Sequence, residues 1–539
     1  MRALIPIVLL ALLGGGASTV AMGAARGGAP ALAPAPWSVD SPVPEHQRTN
    51  PWYRDAEASV RAARAGKGAK NVILFVGDGM GVSTVTASRI LAGQQSGKSG
   101  EEHRLSFEEF PVTGLSKTYN VNAQTPDSAG TMSAMITGVK TDIGVFGIDE
   151  NVDYGDCESG RGHELVSLLE LAELAGRSTG IISTARITHA TPGATYAKTA
   201  DRDWEDDSQL SNAAKAAGCI DIARQFVGFE ARLDSAFGAN VSDGIEVALG
   251  GGRRHFHGDA ESGGRRKDGL DLIARWQDFY PGGHYAADAA GLAQASRTPV
   301  LGLFSDSHMA YASERAQTET NQPSLPAMTR KAIELLRASS DQGFFLMVEA
   351  GRIDHAHHAG NAFNALNDTI EFTEAVRVAR AATDGDDTLI MVTADHSHVF
   401  TIAGYPRRGN PILGKVVPAR TGEEALDENG MPYTTLGYMN GRGFRDFGEE
   451  LNADRGYGDP PDAGRKDLSE VDTTQPGYHQ EALVPLGSET HGGEDVAVYA
   501  AGPGASAAMG VQEQNRLFHV MLQATDWEQA AARRIAEAR

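Results

Sequence analysis

Glu349, Asp354 and His358 fall in the stretch Phe344 to His358, FFLMVEAGRIDHAHH. Carboxylates and imidazoles are the donors that divalent metals take, and Asp354 and His358 at i, i+4 share one face of a helical turn. Asp395-His396 ends a second apolar run in DTLIMVTADHSH, and Asp78 follows a third in NVILFVGDGMGVST. His491 stands before glycines in SETHGGEDVAVYAAG. Ser128, in TPDSAGTMSAMITGVKT, opens a helix, where unpaired N–H groups and the dipole favour an anion. Taken singly, each has a plainer reading. Acids and histidines beyond strands are often solvated loop residues, and Asp127 or Ser128 in this position is most commonly an N-cap.

The apolar runs that precede these residues predict the elements that carry them. Val72–Val76, Phe344–Val348 and Thr388–Val392 read as short strands buried on both faces. In open α/β sheets, sites form beyond the carboxyl ends of such strands. Further strands are predicted at Ser178–Ser183, Ile245–Leu249, Val300–Phe304 and Val496–Ala500. Helices are predicted at Ala56–Ala65, Glu164–Ala175, Met328–Ala338 and Phe363–Val376. Strands alternating with helices imply an α/β fold with a mainly parallel central sheet covered by helices on both faces.

Within the 539 residues, the charge balance of -22 argues against a polyanion binder and hence against nucleic-acid binding. Residues 1–33 read as a signal peptide and lead-in, with Arg2 before the apolar Ala3–Leu13, and residues 34–70 as a linker and helix. Residues 71–539 read as one α/β domain, the expected catalytic domain, in which 407–481, richer in Gly, Pro and charge, read as a surface insertion. The charged C-terminal AAARRIAEAR carries no lipid-anchor signal, so the expectation is a periplasmic or secreted protein without a membrane anchor. Cys157 and Cys219 are the sole cysteines, which in an oxidising compartment suggests one disulfide; two separately buried thiols are the alternative.

Together VGDGMG, KTYNV, PDSAGT, THATPGATYA, ALGGGR, VEAGRIDHAHH, TADHSHVF, GYPRRGN and ETHGGEDVAV, in this order from Asn71 to Gln523, resemble the alkaline phosphatase family, and most closely its animal-type branch. The resemblance implies a metal-dependent phosphomonoesterase acting on a broad range of phosphate monoesters through a phosphoserine on Ser128. It implies two zinc ions, one on Asp354, His358 and His491 and one on Asp78, Asp395 and His396, and a magnesium ion on Asp78, Thr191 and Glu349. Arg202 resembles the arginine that grips two phosphate oxygens, a task suited to a planar fork.

His189 and His355 follow the animal-type pattern, which implies contact through water with magnesium and phosphate respectively; packing roles for both remain open. Asp127 is a candidate supporting residue beside the nucleophile. Ser305 and Gln322 stand where animal-type members would carry acids, so no calcium ion is expected. The resemblance also pairs Cys157 with Cys219 and implies a homodimer. Two other readings compete: a phosphodiesterase or other ester hydrolase of the wider superfamily, and a non-catalytic phosphate-binding protein. Ser128 is followed by Ala129-Gly130-Thr131 rather than a sulfatase-type Pro-x-Arg, and no expected ligand is missing.

Overall fold

The computed structural model describes residues 41–63, 66, 68–258 and 263–539. The leader expected over residues 1–33 and the first part of the linker lie outside the described residues. The helix expected at Ala56–Ala65 spans Pro51–Ala62, started by Pro51 at its first position and by the Asn50 side chain, which accepts from the Trp52 N–H.

Eight strands of the central sheet precede its long excursion: β1 Asn71–Gly77, β2 Val112–Lys117, β3 Ser178–Arg186, β4 Val247–Gly251, β5 His284–Ala286, β6 Val300–Leu303, β7 Phe344–Ala350 and β8 Thr388–Ala394. Strands Val496–Ala501 and Gly510–Glu513 complete a ten-stranded sheet. At its centre β8, β1, β7 and β3 lie side by side, all parallel. Val496–Ala501 is inserted antiparallel between β8 and β2. The sheet is therefore mainly parallel, as the alternating pattern predicts.

Strand geometry explains the unbroken apolar runs. Successive residues point to opposite faces, and here both faces are covered: Val72, Leu74 and Val76 join one core, Ile73 and Phe75 the other. β7 and β8 divide likewise, Phe345 and Met347 against Leu346 and Val348, and Leu389 and Met391 against Ile390 and Val392. Helices Leu325–Ser339 and Ala362–Ala382 pack on the second face, each longer at both ends than its periodicity suggests. The helix expected from Glu164 begins only at Leu168. There Ser167 and Glu170 form a reciprocal capping box that fixes the start.

Register sets the site. Gly77 of β1 pairs with Ala350 of β7 and Ala394 of β8, while Glu349 pairs with Val76 on one side and Ser183 of β3 on the other. Asp78 and Asp395 thus leave adjacent strand ends at the same level. Glu349, expected immediately past a strand ending at Val348, is instead in β7 itself, one residue from the end, because the ladder to β1 and β3 continues through it.

Residues 407–481 contribute the middle strand, Leu436–Gly441, of a small sheet whose outer strands, Phe400–Ile402 and Ala482–Pro485, flank the segment. Ile412, Leu413, Leu436 and Tyr438 bury themselves against Leu91, Leu366 and Phe400 of the main body. Asp454 reaches down to Arg352 at 2.7 Å, tying this segment to the helix that follows β7. Among the described residues no helix is long and apolar enough to cross a membrane.

Candidate active site

Helix Arg352–Ala359 starts two residues beyond β7 and presents Asp354 and His358 on one face, as their spacing predicts. His358 Nε2 lies 3.2 Å and His491 Nε2 3.3 Å from the same oxygen, Asp354 Oδ1, and the two nitrogens are 3.0 Å apart. His358 Nδ1 donates to the Glu489 carbonyl at 2.6 Å and His491 Nδ1 to the Pro126 carbonyl at 2.8 Å. A carbonyl can only accept, so each Nδ1 carries the proton and each Nε2 lone pair is free for a cation.

A second group forms where β1 and β8 end. His396 Nε2 stands 3.3 Å from both Asp78 Oδ1 and Asp395 Oδ2. Asp395 Oδ1 accepts the N–H groups of Gly79 and His396, which locks its direction. Ser128, the first residue of helix Ser128–Thr137, points its Oγ into this group, 3.1 Å from His396 Nε2 and 3.4 Å from Asp78 Oδ1. Its residue is only 2 % exposed, so the hydroxyl meets nothing but these groups and whatever enters from the mouth.

The third group lies on the other side of Asp78. Asp78 Oδ2, Glu349 Oε1 and Thr191 Oγ1 are all buried without a hydrogen-bond partner, an arrangement that costs free energy unless something satisfies it. Asp78, His189 and Glu349 offer ligand atoms within 4.8 Å of one another. Ser183 donates to the other Glu349 oxygen and fixes the carboxyl plane.

The electrostatics follow from this crowding. Burial, then the facing carboxylates of Asp395, Asp354 and Glu349, push the Asp78 carboxyl well above its usual range. Burial raises Glu349 to about 7, against the opposing hydrogen bond from Ser183. Asp395 is also raised, by burial first. Burial opposes ionisation of Asp354 too, but His358 and the hydrogen bonds of His398 and His491 hold it well below the carboxylate range. His358 is lowered to about 4 and His396 lies well below the imidazole range, both through burial. Neutral imidazoles beside carboxylates that repel one another form a site complementary to divalent cations.

Asp127 is the N-cap of the Ser128 helix: its Oδ1 accepts the Gly130 N–H at 3.1 Å. Its Oδ2 accepts from Arg202 Nη1 at 2.8 Å. The guanidinium is held beside Ser128 in consequence, with Nη2 3.4 Å from His189 Nε2. The disulfide Cys157–Cys219 borders the cluster of Val152, Ala200 and Trp204 that supports the Arg202 segment.

The expected metal ligands and Ser128 converge on this crevice, with Asp127, Arg202, His189 and His355 beside them. His189, expected near magnesium, is grouped with Asp78 and Glu349. His189 and His355 also stand with His308, the ring centroids of His308 and His355 being 3.8 Å apart. His398 and Glu489 were missed. Burial opposes protonation of His398, but Glu489 and Asp354 raise it to about 10, with bonds of 2.6 Å from Nδ1 to Glu489 and 2.9 Å from Nε2 to Asp354. Each sits two residues from a predicted ligand, and that nearness was the available signal. Gly79, at φ +70, makes room for His398: a Cβ there would lie 2.3 Å from its Nε2. Ser305 donates to the Ser307 carbonyl and Gln322 accepts the Ala310 N–H, so both polar side chains serve their own loops.

Comparison with known proteins agrees with this geometry. The chain is 41% identical over 505 residues to the tissue-nonspecific isozyme of alkaline phosphatase from Homo sapiens, covering 90% of each chain. It is 41% identical over 496 residues to an alkaline phosphatase from Gadus morhua, covering 89% of this chain and 96% of the relative. Alkaline phosphatase from Thermus thermophilus shares the fold, with a TM-score of 0.60 and 24% identity over 88% of this chain and 96% of its own. That from the Antarctic bacterium TAB5 has a TM-score of 0.55 and 23% identity over 86% and 99%. The profile described as alkaline phosphatase matches residues 69–527. A metal-suited crevice with a buried serine at its floor, in a chain so matched along most of its length, places this protein in the alkaline phosphatase family, the metal-dependent hydrolases of phosphate monoesters.

Proposed function

We propose that this chain hydrolyses phosphate monoesters through a phosphoserine on Ser128, with two zinc ions and one magnesium ion in the crevice. Asp354, His358 and His491 would hold one zinc, and Asp78, Asp395 and His396 the other. Asp78, Thr191 and Glu349, all oxygen donors, would hold magnesium; their unpartnered buried atoms support a hard cation there. When bound, these ions lower the pKa of a coordinated hydroxyl or water and neutralise charge on the departing oxygen.

The observation that carries the reading is the position of Ser128 Oγ, 3.1 Å from His396 Nε2 at the start of a helix. Ser128 gives up its proton and forms the Oγ–P bond as the ester P–O bond breaks, and the alcohol leaves with a proton. Arg202 orients two non-bridging oxygens with its paired N–H groups, and the helix dipole favours the same anion. Water then breaks the Oγ–P bond, restoring the Ser128 hydroxyl and releasing inorganic phosphate. These groups address the phosphoryl end alone, which supports breadth in the leaving group.

The disulfide supports an oxidising compartment, and we read the protein as periplasmic or secreted and as a homodimer, with 407–481 as a crown-like insertion. Sedimentation at two salt concentrations tests the dimer.

The mechanism is tested with p-nitrophenyl phosphate at about pH 7 to 10, using wild type and Ser128→Ala before and after chelation and restoration with zinc plus magnesium. Restored activity that collapses in Ser128→Ala, with acid-stable phosphate on wild type alone, is the expected result. Full activity without Ser128 would overturn the covalent step.

A further inference from the structure

The loops that follow β3 and β6 and the helix Arg352–Ala359 that follows β7 bring His189, His308 and His355 together at the crevice. Each ring offers a nitrogen within 4.8 Å of one on each of the other two. The ring centroids are 3.8 Å apart for His308 and His355, 5.2 Å for His189 and His308, and 5.5 Å for His189 and His355. Nδ1 of all three is buried and without a hydrogen-bond partner. Packing alone gives no reason for three neighbouring imidazoles each to leave a buried ring nitrogen unsatisfied.

From this geometry we propose that His189, His308 and His355 form a further site for a borderline divalent transition metal of the zinc, cobalt, nickel or copper class, distinct from the Asp354 and Asp395 groups. Imidazole nitrogen suits these ions and does not suit magnesium or calcium. Metal–nitrogen distances of about 2.0–2.1 Å put tetrahedral ligand atoms about 3.3 Å apart, so the rings need close by no more than about 1.5 Å. Three protein ligands leave a fourth coordination position open.

The loop of His308 is already fixed. The Met309 N–H donates to the Thr184 carbonyl at 3.0 Å, and the Ser307 carbonyl accepts from Gly252 at 2.8 Å. The nearby arginines do not present bare charge: Arg186 makes two 2.7 Å bonds to Glu205, Arg202 pairs with Asp127 and Arg352 with Asp454. Arg186 Nη1 also donates to His308 Nε2. Coordination through Nδ1 shifts the ring proton to Nε2, so that contact is given up while both bonds to Glu205 remain.

His189 also faces Asp78 and Glu349. An ion on the three histidines therefore competes with any ion that draws on His189 from the other side.

The test uses the metal-loaded holoenzyme titrated with Co2+, comparing wild type with His308→Ala and His308→Gln. The expected result is one more cobalt bound per chain in wild type than in either variant, by elemental analysis and visible absorption, with hydrolysis before cobalt addition within about twofold of wild type in both. Equal cobalt in wild type and variants would overturn the site, assigning the ion to the Asp78–Glu349 side or to the Asp354 and Asp395 groups. A measurement on wild type alone covers misfolding variants. Cu2+ added to the holoenzyme should show electron-paramagnetic splitting from three imidazole nitrogens; a spectrum dominated by oxygen ligands would overturn the proposal equally.

Discussion

Asp127 Oδ2 accepts a hydrogen bond from Arg202 Nη1 at 2.8 Å while Oδ1 of the same carboxylate accepts the Gly130 N–H at 3.1 Å. One side chain thus caps the helix that carries Ser128 and aims the guanidinium beside it. Replacing Asp127 by Ala should free Arg202 to sample other rotamers. Inorganic phosphate should then inhibit about 3- to 30-fold more weakly, the loss of one charge-assisted bond. The lost cap should cost about 1 kcal/mol of stability. An unchanged phosphate inhibition constant in Asp127→Ala would mean that Arg202 is held by other contacts.

His398 is clasped between Glu489 and Asp354, and Asp354 is in turn the carboxylate on which His358 and His491 converge. Glu489→Gln weakens that clasp without replacing an expected ligand, and keeps the backbone carbonyl that accepts from His358. Supporting partners of this kind are typically worth about 10- to 100-fold in metal affinity. Zinc retention against a graded chelator should fall by that order, while Ser128 phosphorylation persists at saturating zinc. Retention equal to wild type would show that the clasp does not orient Asp354.

Glu246 and Glu173 are buried together near the amino ends of β3 and β4, both touching Thr179 Oγ1. Burial, then Asp243, raises Glu246 from 4.5 to about 8. Between those values the folded chain keeps a proton that the unfolded chain has lost, so its stability falls as pH rises through the window. Glu246→Gln keeps an oxygen for Thr179 and has no proton to lose. The variant should gain on wild type by on the order of 1–3 kcal/mol between pH 5 and pH 9. Urea unfolding at both pH values reads this directly; parallel curves would mean that Glu246 ionises freely in the fold.

The Cys157–Cys219 bond closes 62 residues that include the Arg202 segment. Removing it as Cys157→Ser/Cys219→Ser should lower stability by about 2–5 kcal/mol. KM for p-nitrophenyl phosphate should rise more than kcat falls, because the chain that carries Arg202 loosens while Ser128 stays on its helix. A change confined to kcat would place the effect elsewhere.

Strand identity was legible because β1, β7 and β8 are buried on both faces and so carry uninterrupted apolar residues. The ligands were legible because Asp78 and Asp395 follow those runs directly, and because Asp354 and His358 keep helical spacing within one segment. A strand boundary is harder to see. Nothing local says that the ladder runs on through Glu349, since that depends on Val76 and Ser183 in two distant strands. The sequence alone thus determined the chemistry of the donors and the strands that lift them. Tertiary structure decided which donors face one another: that Asp127 reaches Arg202 across 75 positions, that His398 sits between Glu489 and Asp354, and that His308 completes a group with His189 and His355. Those pairings join side chains from separate loops, whose meeting is set by sheet order and register and by no local pattern of residues.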